Sequence, residues 1–291
     1  DWRAELDHAW ELVDRPGEQS VVAFGPLAGT TLQELWRERR AELFGARAAA
    51  AGDRFPLLVK LLDARETLSV QVHPPPELAP ALDAEAFAAA LQAGEDVSSL
   101  LHRVEVAVGE ALFLASGRVH ALGAGCLVVE IQESSDSTYR VYDFDRPGLD
   151  GQPRELHVPE SLACIDFSDV EPAVRPAGDG VLADNDLFKV TRRTLGDAPE
   201  RLNAPGECAL VAVLAGEARC GGEAHGPGAF FLLGADAARV IGGLVGRVGG
   251  PQAQTAAPPC RQQGKFDFGG ELTQYPHVNP ARNGSSPSGT G

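Results

Sequence analysis

The sequence predicts a mainly β protein: two antiparallel β-barrel units with a small helical portion. Two observations carry this. From Val104 onward, short apolar runs alternate with glycine-bearing turns, as in VEVAVGEALFLASGRVHALGAGCLVVEIQ, which is the texture of an antiparallel barrel. Between about Leu187 and Val248 a second set follows, with FKVTRRTL, CALVAVLAG, GAFFLLG and ARVIGGL. Its likeness in texture to the first set predicts two related barrels in one chain.

The elements follow in order. Residues 31–44, TLQELWRERRAELF, read as an amphipathic helix with Leu32, Leu35, Trp36 and Leu43 near one face and Thr31 as its cap. Phe55 to Leu62 reads as a buried strand, and Thr67 to His73 alternates as a second. Residues 83–103, rich in alanine and leucine, read as a helix. After Gly249 the composition collapses into Gly, Pro, Gln, Ser and Asn, so residues 250–291 are expected to be a disordered tail. The expected division is therefore 1–170, with a helical insert at about 31–44 and 83–103, then 171–249, then the tail. The 291 residues, 44% hydrophobic, suffice for one large core or two smaller ones.

Composition narrows the function classes. A net charge of −16 disfavours nucleic acid, because no basic stripe is present to displace its counterions. A small anionic substrate remains open, given a local cationic pocket. No run is long and apolar enough for a membrane helix, and the charged N-terminal segment (Asp1, Arg3, Glu5, Asp7) does not read as a signal peptide. The cysteines Cys126, Cys164, Cys208, Cys220 and Cys260 are odd in number and show no C-x-x-C spacing. Neither a disulfide framework nor a cysteine-zinc site is expected, and a reducing cytoplasm fits free thiols.

Three segments carry the chemistry. In Ser69-Val70-Gln71-Val72-His73-Pro74, a strand would place a hydroxyl, an amide oxygen and an imidazole on one face. Such a face suits ligation of a borderline cation; an ordinary solvent-facing strand with one histidine is the plainer alternative. In GEALFLASGRVH, residues 109–120, a turn glycine precedes an apolar strand, a small-residue turn and His120, either a ligand or a structural histidine. In VEIQESSDSTYRVYDFDR, residues 129–146, Glu130 and Gln132 share a strand face. Arg140 follows a polar turn and is flanked by Tyr139 and Tyr142. It reads either as a surface cation stacked on aromatics or as a fork for an anionic oxygen.

GEALFLASGRVH resembles the second conserved motif of cupin barrels, with Ala115 where proline is usual. Taken in order, FPLLVKLLDARETLSVQVHP, SGRVHALGAG and VVEIQESSDSTYRVYDFDR closely resemble the signature blocks of type I mannose-6-phosphate isomerases. GEQSVVAFGPLAGTTLQELWRE and RELHVPESLACIDF resemble the blocks before and after. The resemblance covers about Trp10 to Phe167 well and about Leu187 to Val248 more loosely. It implies two cupin-type jelly-roll units, the first catalytic, and a zinc site at Gln71, His73 and His120. It also implies a catalytic arginine at Arg140, and Lys60, Ser69 and Glu130 lining the pocket. The reaction implied is the zinc-dependent interconversion of mannose 6-phosphate and fructose 6-phosphate by proton transfer through an enediol, in a cytoplasmic monomer.

One departure bears on the function. The strand that carries the family's lysine and a glutamate ligand has no counterpart before the alanine-rich helix, where Leu82 runs directly into Asp83. Two expectations follow. Either residues are missing at that junction from an isomerase, or the chain is a non-catalytic cupin that binds metal or sugar without the glutamate.

Overall fold

A computed structural model of the chain describes residues 8–46, 48, 51–72, 84–135, 137–148, 151–169, 172–235, 240–241, 244–249 and 262–267. The junction between Leu82 and Asp83 lies outside the described residues, as does His73.

The protein is mainly β with a few short helices. In chain order the strands are β1 His8–Leu12, β2 Asp14–Arg15, β3 Glu18–Gln19, β4 Leu57–Ala64, β5 Val70–Val72, β6 Ala111–Ala115, β7 Cys126–Glu133, β8 Tyr139–Tyr142 and β9 Val174–Arg175. They continue as β10 Gly180–Asp184, β11 Lys189–Thr194, β12 Ala209–Ala215, β13 Ala218–Cys220, β14 Glu223–His225, β15 Phe230–Leu233, β16 Val240–Ile241, β17 Leu244–Gly249 and β18 Gln262–Asp267. A six-stranded sheet runs β1-β4-β7-β18-β6-β9, and a five-stranded sheet runs β10-β11-β17-β12-β15. A three-stranded sheet, β14-β13-β16, and the pairs β2-β3 and β5-β8 complete the set. Every ladder is antiparallel, as the short runs and glycine turns predict.

The strands of the six- and five-stranded sheets share apolar contents. Leu57 and Val59 of β4 and Val129 and Ile131 of β7 belong to one buried cluster with Leu182, Phe188, Val190 and Leu210 from the later half. A smaller cluster around Val70, Val72, Val97, Val141 and Ile165 lies beneath β5 and β8. β9 pairs with β6, and β10 pairs with β11.

The helix expected over 31–44 forms as two pieces, α1 Leu32–Glu38 and α2 Arg40–Phe44, because Arg39 leaves helical geometry at φ −126° and ψ 24°. Thr31 caps α1 reciprocally with Glu34, satisfying two end donors. Leu32, Leu35 and Trp36 are buried as the periodicity predicts, while Leu43 is only partly buried. The helix expected over 83–103 is shorter. α3 covers Ala84–Gln92, Gly94 then takes φ +71°, and Asp96 caps a 3-10 turn at Val97–Leu100. A further short helix, α4 Val158–Cys164, has Pro159 in its first turn. Of the expected tail, 250–291, only Gln262–Asp267 are described; they form β18, between β7 and β6.

Candidate functional site

β4 and β7 are central neighbours, so their facing residues are fixed by a continuous ladder. Lys60 pairs with Glu130, and Trp10 of β1 stands opposite Lys60 on the other side. The Lys60 Nζ donates to Glu130 Oε2 at 3.0 Å and to Gln132 Oε1 at 2.7 Å. It also lies 5.8 Å from the Trp10 ring centroid. Glu130 and Gln132 are each 4% exposed. A carboxylate this deep is tolerable because an ammonium and hydrogen bonds meet it.

β5 carries the second group. Gln71 N–H donates to His120 O at 2.9 Å, and His120 N–H returns the bond to Gln71 O at 3.0 Å. On its other side Gln71 is paired with Arg140 of β8. Opposed residues on antiparallel strands share a face, so His120, Gln71 and Arg140 form one row. Ser69, 8% exposed, lies two residues before Gln71.

The approach to His120 is fixed in several ways. Gly117 turns the chain at φ +85°, and a Cβ there would sit 3.1 Å from Cys164 O, so no larger residue fits without displacement. Arg118 next to it is clamped by Asp169, at 2.7 and 2.6 Å, and donates to Phe113 O at 2.7 Å. The Arg118 carbonyl lies 3.0 Å from His120 Nδ1. A carbonyl can only accept, so Nδ1 carries a proton, and in the neutral ring Nε2 is then the nitrogen with the lone pair. This is the arrangement of a histidine poised to ligate.

Arg140 is held by its backbone and by one side-chain bond. Its N–H donates to His157 Nδ1 at 3.2 Å, its carbonyl accepts from His157 N–H at 2.8 Å, and its Nη1 donates to Glu155 O at 2.9 Å. Its Nε is buried with no hydrogen-bond partner among the described residues. Burial lowers its affinity for the proton; the neighbouring Arg154 and Arg146 act in the same direction and Asp143 against them. A guanidinium so placed is complementary to an anion. The arginine that stacks on an aromatic here is Arg146, 5.5 Å from the Phe144 ring centroid.

The sequence reasoning passed over Asp143. It is 4% exposed and binds Arg154 through both oxygens, at 2.5 and 2.5 Å, and Arg146 at 2.7 Å. Arg146 also donates to Thr67 O at 2.7 Å, tying the end of β8 to the approach to β5. The signal was the YDFDR run itself, with two acids and an arginine within five residues.

Of the expected site residues, then, Lys60 meets Glu130, and Gln71 meets His120 and Arg140. Among the described residues no three His, Cys, Asp or Glu side chains gather as a metal site. The expected metal set instead uses an amide, Gln71, and the undescribed His73. The donors of Gln71 and His120 on one face, with His120 in the right tautomer, fit part of a zinc shell.

Comparison with known proteins places these residues in a family. Residues 5–96 match the family model for the catalytic domain of type I phosphomannose isomerase. The chain is 38% identical over 190 residues to the mannose-6-phosphate isomerase ManA of Bacillus subtilis, covering 55% of this chain and 59% of that protein. Against the mannose-6-phosphate isomerase of Streptococcus mutans it is 34% identical over 245 residues, covering 72% of this chain and 75% of the relative. The chain thus spans less than two thirds of ManA. The 190 aligned positions also exceed 55% of 291 residues, so the alignment passes through positions of ManA for which this chain has no residue. The crystal structure of the mannose 6-phosphate isomerase from Bacillus subtilis superposes with a TM-score of 0.57 at 26% identity, covering 84% of this chain and 88% of that one. With a catalytic-domain match and a relative three quarters covered at 34% identity, the chain belongs to the mannose-6-phosphate isomerase family.

Proposed function

We propose that this protein interconverts mannose 6-phosphate and fructose 6-phosphate, with zinc bound by Gln71, His73 and His120. The observation that carries the reading is the row His120–Gln71–Arg140, in which a ligand-type imidazole and a cation seeking an anion flank one amide. Zinc bound there would polarise the substrate carbonyl and hold its oxygens. Arg140 would face the oxygen on which enediolate charge develops and stabilise it with a fixed fork of donors. Lys60, anchored by Glu130 and Gln132, would bind a sugar hydroxyl or join the proton relay, and Ser69 would donate to the substrate. Both rows would line a single cavity.

The same reading takes the first unit as the catalytic cupin jelly roll and the strands from β10 to β17 as a second, cupin-like one. The protein would work as a cytoplasmic monomer on a small sugar phosphate. No described helix is long and apolar enough to cross a membrane. The test is a coupled assay of fructose 6-phosphate formed from mannose 6-phosphate, before chelation, after chelation and after zinc is restored. Turnover that vanishes and returns supports the proposal. Stoichiometric zinc without turnover would make the protein a binding cupin instead.

A further inference from the structure

The backbone hydrogen bonds of the candidate site divide between two histidines. Gln71 gives its N–H to His120 O, and its carbonyl accepts from His120 N–H. Arg140 gives its N–H to His157 Nδ1 at 3.2 Å, and its carbonyl accepts from His157 N–H at 2.8 Å. Each residue has one backbone N–H, and both are committed. Gln71 and Arg140 therefore stand opposite each other across β5 and β8 with no backbone hydrogen bond between them. Arg140 is held in the row from the other edge of β8, by His157.

His157 stands at the N-cap of α4, where a side chain commonly accepts from the first turn of the helix. Its ring makes no such bond. The helix asks less of it, because Pro159 in that turn has no N–H to satisfy. The ring meets the Arg140 backbone instead, with its centroid 5.9 Å from that of Tyr139. A backbone N–H can only donate, so Nδ1 of His157 accepts, and in the neutral ring the proton lies on Nε2. His120 has the opposite arrangement, with Nδ1 against the Arg118 carbonyl. The residues before His157 complete the seat. Glu155 O accepts from Arg140 Nη1 at 2.9 Å, and Arg154 binds both oxygens of Asp143 just beyond β8. Residues 154–157 thus grip Arg140 at its N–H, its carbonyl and its guanidinium. A shift of that backbone would carry through to the guanidinium, and small misplacements of a reacting group are costly.

We propose that His157 is a positioning residue: its ring and its backbone together hold Arg140 at the place in the row from which the guanidinium meets the substrate oxygen that gains charge. The substrate oxygen rests on the isomerase reading; the seating of Arg140 by His157 does not.

The test has two arms. In the first, nitrogen-15 spectra of the full chain read the tautomer of each neutral histidine ring, and amide exchange is followed at Arg140. The expected result is a proton on Nε2 of His157, and an Arg140 amide that exchanges about tenfold faster in His157→Leu than in the wild type, as for loss of one hydrogen bond. The tautomer is read in the wild type, so this arm stands even if the variant does not fold. A proton on Nδ1, or an Arg140 amide equally protected in both proteins, would overturn the seat.

The second arm is kinetic. His157→Leu is expected to lower kcat about tenfold with KM within about twofold, short of the about hundredfold that a misplacement of about 1 Å can cost. His157→Asn keeps an acceptor as many bonds from Cα as Nδ1 is, and should recover most of the loss. In the Arg140→Ala background, His157→Leu should lower kcat no further, because a residue that acts through Arg140 has nothing left to position. Losses that add in the double variant, or a loss that His157→Asn does not restore, would overturn the positioning role. If the wild-type chain does not turn over the sugar phosphates, the isomerase reading fails by itself; the tautomer and the Arg140 amide still decide whether His157 seats Arg140.

Discussion

Gln71 and His120 exchange both of their backbone hydrogen bonds, at 2.9 and 3.0 Å, across a single isolated bridge. They come from segments far apart in sequence, and this bridge is what makes them neighbours. An opposed pair of this kind has its Cα atoms about 5.5 Å apart with both side chains on one face. Because the backbone sets the pairing, changing either side chain leaves the other in position, so substitutions here report on ligation with little confounding from the fold.

His120→Ala should therefore lower bound zinc while leaving the far-ultraviolet circular dichroism unchanged. Metal content by elemental analysis is the measurement. A variant with undiminished zinc would exclude His120 as a ligand. Arg118→Ala should weaken metal binding less, because it loosens the clamp on the turn while the Arg118 carbonyl that orients His120 remains.

Arg140→Ala should lower kcat by about 10²–10³, the usual cost of removing one donor to a developing oxyanion. Arg140→Lys should recover only part of this, since an ammonium lacks the planar fork. Steady-state kinetics on both variants decide it. A rise confined to KM would assign Arg140 to ground-state phosphate binding instead.

Much of this was legible in the sequence, and the reasons differ by element. The antiparallel texture and the Thr31 cap are local, so glycine turns and a Thr-x-x-Glu pattern reveal them directly. The shared face of Glu130 and Gln132 follows from strand period alone. Their lysine partner does not: Lys60 reaches Glu130 across 70 residues of sequence through a ladder that periodicity cannot register. The family resemblance implied that both line a pocket, not that they pair. Asp143 was passed over because its value lies in two arginines three and eleven residues on, gathered by a turn at Phe144 and Asp145 with φ of 55° and 52°. Non-glycine residues seldom adopt that geometry. The strand β18 was hidden for a different reason. Its composition lacks the apolar content of a self-sufficient strand, and its ladder partners, β6 and β7, lie more than a hundred residues earlier in the sequence.

Gly117→Ala should destabilise the protein by about 1–3 kcal/mol, from strain at positive φ and crowding of the Cys164 carbonyl. Because the turn leads into His120, zinc affinity should fall with it. Urea titration with and without zinc measures both. The control is Gly25→Ala, also at positive φ but with open space around its Cβ, which should cost stability without touching metal binding.

Lys60 and Glu130 form a pair whose side chains are 18% and 5% exposed. Lys60→Met removes the ammonium that meets a buried carboxylate and should cost about 3 kcal/mol. Lys60→Met combined with Glu130→Gln should cost less than Lys60→Met alone, because the buried charge goes together with its lysine partner. A double-mutant cycle by urea denaturation gives the coupling. Strict additivity would mean that the two side chains do not interact in solution.

Asp143 supplies a pH-dependent part of stability. Burial alone would raise its pKa, but the hydrogen bonds from Arg154 and Arg146, with their charges, outweigh burial and hold it below the ordinary aspartate value. A carboxylate depressed on folding contributes stability that is fully present above its unfolded pKa, about 3.9. That contribution is lost as the pH falls through the lower folded value, since the unfolded chain then binds the proton first. Asp143→Asn should thus cost about 2–4 kcal/mol at neutral pH, towards the lower end because Arg154 is 39% exposed and partly screened by water. The gap between wild type and variant should close as the pH falls below about 4. Urea midpoints measured from neutral pH down into the acid range follow both curves. A gap that stayed constant through the acid range would show that Asp143 stabilises the fold by packing alone, not as the ionised partner of Arg146 and Arg154.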